Sequence, residues 1–162
     1  MKIAVVDDSK FTRMVIKQIL NDLSNTDFCW EAENGKIALE KNTRDPVDLI
    51  ISDLEMPVLD GLQLLKTVLG GEAKTKCLLL SAFHKSNQPK IIDALKAGAI
   101  GFIEKNSLGK GFDINGLKKE IDKYINFLTQ DNILREEIRG TSLENNLSKS
   151  HVKNRADFIC II

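Results

Sequence analysis

The chain has 162 residues, enough for one ordinary domain with an appendage and too few for two full domains. Hydrophobic residues make up 43% and charged residues 28%, which excludes disorder throughout. The 23 basic and 23 acidic side chains cancel, so no global field draws the chain toward nucleic acid or an anionic membrane, and any charge that matters is local.

Taken in chain order, short aliphatic runs alternate with stretches of helical period. Ile3 to Val6 opens the series as a strand buried on both faces, and Phe11, Met14, Val15, Ile19 and Leu23 follow it at helical spacing. Phe28 to Ala32 is the second strand, carrying Trp30 as a packing residue, and Ile37 with Leu39 marks the second helix. Val47 to Ile51 comes next, then a helix with Leu62, Leu65 and Val68. Cys77 to Leu80 precedes a helix with Ile91 and Leu95. Ile100 to Ile103 precedes a fifth helix with Ile114, Leu117, Ile121, Ile125 and Leu128. Ser9 and Asn34 suit helix N-caps, Gly35 and Gly61 lie near helix starts, Pro89 suits a first turn and Gly98 a helix end. Five β-α units filling residues 1 to 128 predict right-handed crossovers and a doubly wound parallel sheet with helices on both faces.

Residues 129–162 differ in character, with no Pro, one Gly and five basic against five acidic side chains. Gln130 to Arg139 is expected to extend the fifth helix or to form a sixth. The bare apolar end, Phe158 to Ile162, suits a docking strand or dimer contact. The segment is too short for a helix-turn-helix output domain, so no direct nucleic-acid binding is expected. No apolar run reaches the ~18 residues of a membrane span, and the start, Met1 to Asp8, meets acid too early for a signal peptide. A cytoplasmic protein away from membranes is expected. Cys29, Cys77 and Cys160 are odd in number and lack Cys-x-x-Cys spacing, against both a disulfide framework and a zinc site. His84 and His151 have no partner acid at metal or triad spacing. Gly109-Lys110-Gly111 belongs to no phosphate-binding loop of the Gly-x-x-x-x-Gly-Lys-Ser/Thr type.

In an open α/β sheet, ligands sit outside the carboxyl ends of the strands. Asp7 and Asp8 stand there after the first strand, Ser52 and Asp53 after the third, Ser81 and Ala82 after the fourth, and Glu104 and Lys105 after the fifth. If these strands are neighbours, three carboxylates, a hydroxyl and an ammonium converge. Such acids repel by several kcal/mol at an effective dielectric of ~20, so they take up protons or bind a cation. All-oxygen donors select Mg²⁺, Mn²⁺ or Ca²⁺ over zinc, and Mg²⁺ with a phosphate suggests phosphoryl chemistry, with one carboxylate as nucleophile.

The acid pair Asp7-Asp8, the run Asp53-Leu54-Glu55-Met56-Pro57-Val58-Leu59-Asp60-Gly61, Ser81-Ala82, Ala97-Gly98-Ala99 and Lys105 together resemble a response-regulator receiver domain of two-component signalling, from Met1 to about Leu128. The resemblance implies a flavodoxin-like five-stranded parallel sheet of order 2-1-3-4-5. It also implies a phosphoacceptor role for Asp53, with the donor a phosphohistidine on a sensor histidine kinase or phosphotransfer protein. Asp8, Asp53 and the backbone carbonyl of Glu55 would ligate Mg²⁺, Asp7 would act through a metal-bound water, and Ser81 and Lys105 would hold phosphoryl oxygens. Ser81 and Phe102 would form a switch acting on the face of the fourth helix, fifth strand and fifth helix, where a partner docks or a homodimer forms. On this reading the chain is a phosphoacceptor switch and no enzyme, with residues 1–128 the receiver and 129–162 a helical linker or interaction tail. The segments 132–138 and 142–145 resemble the join between receiver and ATPase in enhancer-binding regulators, although no ATPase follows.

The sequence departs from the family at Asn106, where proline with a cis bond is common, so a trans bond or a reshaped loop is expected. Phe102 lacks the polar tip of the commoner Tyr or His. Glu55 and Phe83 flank the expected water path and are expected to slow loss of the phosphoryl group. Two alternatives remain: a receiver segment of a larger regulator, and a metal-dependent phosphatase with Asp53 as nucleophile and Glu55 as general acid.

Overall fold

In a computed structural model of the chain, residues 1–71, 74–81, 88–105 and 113–144 are described, the last fourteen of these by backbone alone. Among the described residues five strands and five helices alternate: β1 (Lys2–Val6), α1 (Lys10–Asn21), β2 (Asp27–Ala32), α2 (Gly35–Arg44), β3 (Leu49–Asp53), α3 (Gly61–Leu69), β4 (Lys76–Ser81), α4 (Gln88–Ala97), β5 (Gly101–Glu104) and α5 (Ile114–Glu144). All pairings are parallel and the order is β2-β1-β3-β4-β5, the expected doubly wound sheet. The chain divides into two compact units, Met1–Asn126 and Phe127–Ile162, the second described as far as Glu144.

The central strands have no wet face. Every residue of β3 is buried, and so are Ile3 to Val6 of β1 and Cys77 to Ser81 of β4, which is why these runs are aliphatic on both alternations. Each Ile or Leu removed from water in this layer contributes about 1.5–3 kcal/mol. The helices start where the sequence offers an acceptor: Ser9 Oγ takes the Thr12 N–H at 3.3 Å, Asn34 Oδ1 that of Ile37 at 3.0 Å, and Asp60 Oδ1 that of Gln63 at 2.9 Å. Gly98, at φ 110°, closes α4 in a backbone conformation that side chains disfavour.

Three expectations are corrected. Phe11 and Met14 are 54% and 58% exposed, because the face of α1 that meets the sheet is Thr12, Val15, Ile16, Ile19 and Leu20. Leu95 and Ile114 are likewise exposed, on α4 and α5. The third strand starts at Leu49 rather than Val47. Val47 is buried, but its N–H is taken by Asn42 Oδ1 at 3.2 Å and its carbonyl by Thr75 Oγ1 at 2.7 Å, so side chains replace the ladder there. At its other end β3 runs on to Asp53, which pairs with Leu80, and this delivers the acid to the rim of the sheet. Beyond Ile125 the fifth helix continues to Glu144 without forming a separate sixth element.

Candidate acidic phosphoacceptor site

Adjacent strand ends bring the predicted residues together. Asp7 and Asp8 follow β1, Asp53 ends β3, Ser81 ends β4 and Lys105 follows β5. Carboxylate oxygens of Asp7, Asp8 and Asp53 all lie within 4.8 Å of one another. Lys105 Nζ donates to Asp7 Oδ2 at 2.7 Å and sits 3.0 Å from Asp53 Oδ1, tying the first, third and fifth strand ends into one cluster. Asp7 is fully buried, its second oxygen accepting the Ser9 N–H at 2.9 Å, whereas Asp8 is exposed. Ser81 is also fully buried, and its carbonyl accepts the Lys105 N–H at 2.7 Å, which fixes the lysine's backbone.

Asp53 is 7% exposed, and burial pushes its carboxyl up to about 6. The Lys105 ammonium opposes that rise, the nearby Asp7 charge adds to it, and the Glu55 N–H, donated to the carboxylate, opposes it. Burial works against the Lys105 charge, but Asp53 and Asp7 outweigh it and the ammonium is held above its ordinary value. A buried, ionisable oxygen nucleophile beside one fixed cation and two further acids is a site that gains from a hard cation and an incoming phosphoryl group.

The connection after Asp53 is held close. Gly61 N–H donates to the Leu54 carbonyl at 3.0 Å, and a Cβ on Gly61 would collide with the Asp53 carbonyl oxygen, so only glycine lets α3 start this near the site. Glu55 is exposed on this connection and Phe102 is half-buried on β5 against the core. Phe83, His84, Asn106, the 109–111 segment, His151 and the apolar end 158–162 lie outside the described residues, as does the geometry expected at Asn106. Cys77 is buried and Cys29 half-buried, whereas Cys160 is outside the described residues. Among the described residues no helix is long and apolar enough to cross a membrane.

Sequence reasoning missed Arg13. Its Nη1 donates to the Asp7 carbonyl at 2.8 Å and lies 3.4 Å from that of Asp8, while Nε meets Glu31 Oε1 at 3.3 Å. The signal was available: position 13 borders the buried stripe of α1 one turn after the N-cap, where a half-buried guanidinium must find acceptors.

A family model described as the response regulator receiver domain matches residues 3–121. The chain belongs to the response-regulator receiver family. This receiver is 34% identical over 122 residues to a protein-glutamate methylesterase/protein-glutamine glutaminase of Syntrophomonas wolfei, covering 75% of this chain and 34% of that protein. It is 35% identical over 120 residues to the protein of the same name from Pyrococcus horikoshii, covering 74% and 32%. Among solved structures it is similar to the response regulator domain of Thermotoga maritima CheB, with TM-score 0.69 and 31% identity over 78% of this chain and 93% of that one. It is also similar to the signal receiver domain of a NarL response regulator from Mycobacterium tuberculosis, with TM-score 0.67 and 28% identity over 80% and 95%. The receiver spans about a third of the length of the curated relatives it matches. These relatives go against the expectation that the chain is no enzyme, since they are named as protein-glutamate methylesterases/protein-glutamine glutaminases, and the match covers about a third of each.

Proposed function

We propose that this receiver accepts a phosphoryl group on Asp53 from a phosphohistidine of a sensor histidine kinase or phosphotransfer protein. The observation that carries the reading is the Asp53 carboxylate, buried within 4.8 Å of those of Asp7 and Asp8 and 3.0 Å from the Lys105 ammonium. In the transfer an Asp53 oxygen forms the new P–O bond as the P–N bond breaks, and the imidazole nitrogen keeps the bonding pair and takes up a proton. The product is an acyl phosphate that carries about two negative charges where the carboxylate carried one.

Among the described residues the donor set is all oxygen, with no thiolate or imidazole, which fits a hard divalent cation, and Mg²⁺ is the one that keeps waters and shares phosphate oxygens. Asp8, Asp53 and the Glu55 carbonyl would hold it, with Asp7 beside them. When bound it supplies positive charge against the phosphoryl oxygens. Lys105 already spans Asp7 and Asp53 and is placed to transfer its pairing to a phosphoryl oxygen. Ser81 would offer its hydroxyl to another, and its movement would free space for Phe102 to turn inward. The face of α4, β5 and α5 then changes for a docking protein or a second copy. On this reading residues 1–128 are the receiver, and 129–162 are an extension serving as a linker or interaction tail.

Intact mass after incubation with a small acyl phosphate and Mg²⁺ tests the proposal. One phosphoryl group is expected on the wild type and none with Asp53→Asn or with chelator. A folded protein that takes up no group, or an adduct that survives Asp53→Asn, overturns it.

A further inference from the structure

We propose that the Arg13–Glu31 ion pair is a clamp that positions the acid pair Asp7-Asp8 for cation binding; the inference rests on the Mg²⁺ site of the preceding reading. Asp7 and Asp8 lie on the β1–α1 connection, and their carboxylates face the site only if the backbone of that connection is fixed. Three elements fix it. The Asp7 N–H donates to the Ala32 carbonyl at 3.1 Å, the Ser9 N–H donates to the Asp7 carboxylate, and Arg13 reaches back from α1 to the Asp7 and Asp8 carbonyls. Of these, Arg13 is the one that holds both acids' backbones. Asp8 depends on it most, because its side chain is exposed while Asp7 is buried and held by Lys105 as well.

The arginine is itself held. Its side chain is 11% exposed and its Nε pairs with Glu31 on β2, so the guanidinium cannot swing into the acid cluster and replace the ammonium or a cation there. Both polar edges are used, one on carbonyls and one on a carboxylate, which is geometry a lysine cannot reproduce. The partner charge on Glu31 also offsets a cation that would otherwise repel Mg²⁺. Arg13 is thus a positioning residue that touches the ligands' backbone and no reacting atom.

The two ways in which Arg13 can act on the site predict opposite signs. If it acted through its charge alone, Arg13→Ala would relieve repulsion and tighten Mg²⁺ binding. If it orients the acids, Arg13→Ala weakens binding by about tenfold or more, as expected for groups that hold metal ligands in place. The experiment is isothermal titration of the full chain with Mg²⁺, run on wild type, Arg13→Ala, Arg13→Lys and Glu31→Gln, with unfolding of each followed in chelator. The clamp predicts weakened affinity in Arg13→Ala, partial recovery in Arg13→Lys and an intermediate loss in Glu31→Gln. If Arg13→Ala does not fold, the Lys and Gln variants decide by the same ranking. Affinity unchanged or tightened in the folded variants, with only the unfolding midpoint lowered, overturns the clamp. A wild type that binds no Mg²⁺ overturns the preceding reading instead.

Discussion

Asp53 bears a cost before any ligand arrives. Its carboxyl is raised from 3.8 to about 6, chiefly because burial penalises the charged form. An acid whose folded value lies above its unfolded one stabilises the fold fully below about pH 4, and that contribution is lost as pH rises through about 6. Near pH 8, in chelator, the ionised carboxylate therefore destabilises the protein by roughly 3 kcal/mol relative to a neutral group of the same shape. Asp53→Asn should accordingly be more stable than wild type at pH 8, with the gap narrowing to about a third of that by pH 4.5, as read from urea unfolding at both values. A gap independent of pH would mean that the Lys105 ammonium neutralises Asp53 more completely than its burial suggests. At this scale the sequence was informative wherever chemistry needs a particular residue type. Asp7, Asp8, Asp53, Ser81 and Lys105 were legible as a set: any one acid at a strand end can be merely solvated or capping a helix, but polar groups of these types after the first, third, fourth and fifth strands together point to one site. Arg13 was not, since nothing in a helical pattern reveals which carbonyls a long side chain reaches.

Elements were legible in kind and order, and less so in phase. The apolar spacing of α1 is satisfied by two adjoining faces, one with Phe11 and Met14 and one with Val15, Ile16, Ile19 and Leu20, and only the sheet decides which is buried. The start of β3 was obscured by Asn42 and Thr75, whose side chains satisfy the Val47 backbone and allow an aliphatic residue to be buried outside the ladder. The connection from β3 to α3 hides a further feature. The Leu59 N–H donates to the Pro57 carbonyl at 2.8 Å across Val58, whose φ is 70°, a tight three-residue turn in a conformation that β-branched residues disfavour. Val58 is 75% exposed, so it recovers little by packing. Val58→Gly should raise stability by about 1 kcal/mol, the relief of the positive φ exceeding the extra freedom glycine gives the unfolded chain. Val58→Asn should fall between. Thermal unfolding of the three proteins measures this, and a glycine variant no more stable than wild type would show that the turn carries no strain. Such strain five residues beyond Asp53 fits a segment held by Gly61 against the Asp53 carbonyl rather than by its own propensity.

The whole molecule follows from one topological fact: strict alternation of strand and helix permits few arrangements, and order 2-1-3-4-5 sets the ends of β1 and β3 side by side at the point where the winding reverses. That reversal makes the crevice, and the acids are the residues that fill it. Asp7, Asp8, Asp53, Ser81 and Lys105 all belong to the unit Met1–Asn126, and the family model ends within it, at residue 121. The helix α5 supplies Leu117, Ile121 and Ile125 as its buried face in that unit, at the spacing of one stripe. Among the described residues, the carboxylates that cluster there are those of Asp7, Asp8 and Asp53. A chain ending at Leu128 should therefore unfold in one cooperative transition and take up a phosphoryl group on Asp53 at the rate of the full chain, measured side by side by denaturant titration and intact mass. A truncated chain that folds but is phosphorylated more slowly would show that residues 129–162 act on the site itself. Equal rates, with a change confined to oligomeric state, would assign the extension to the output side of the molecule.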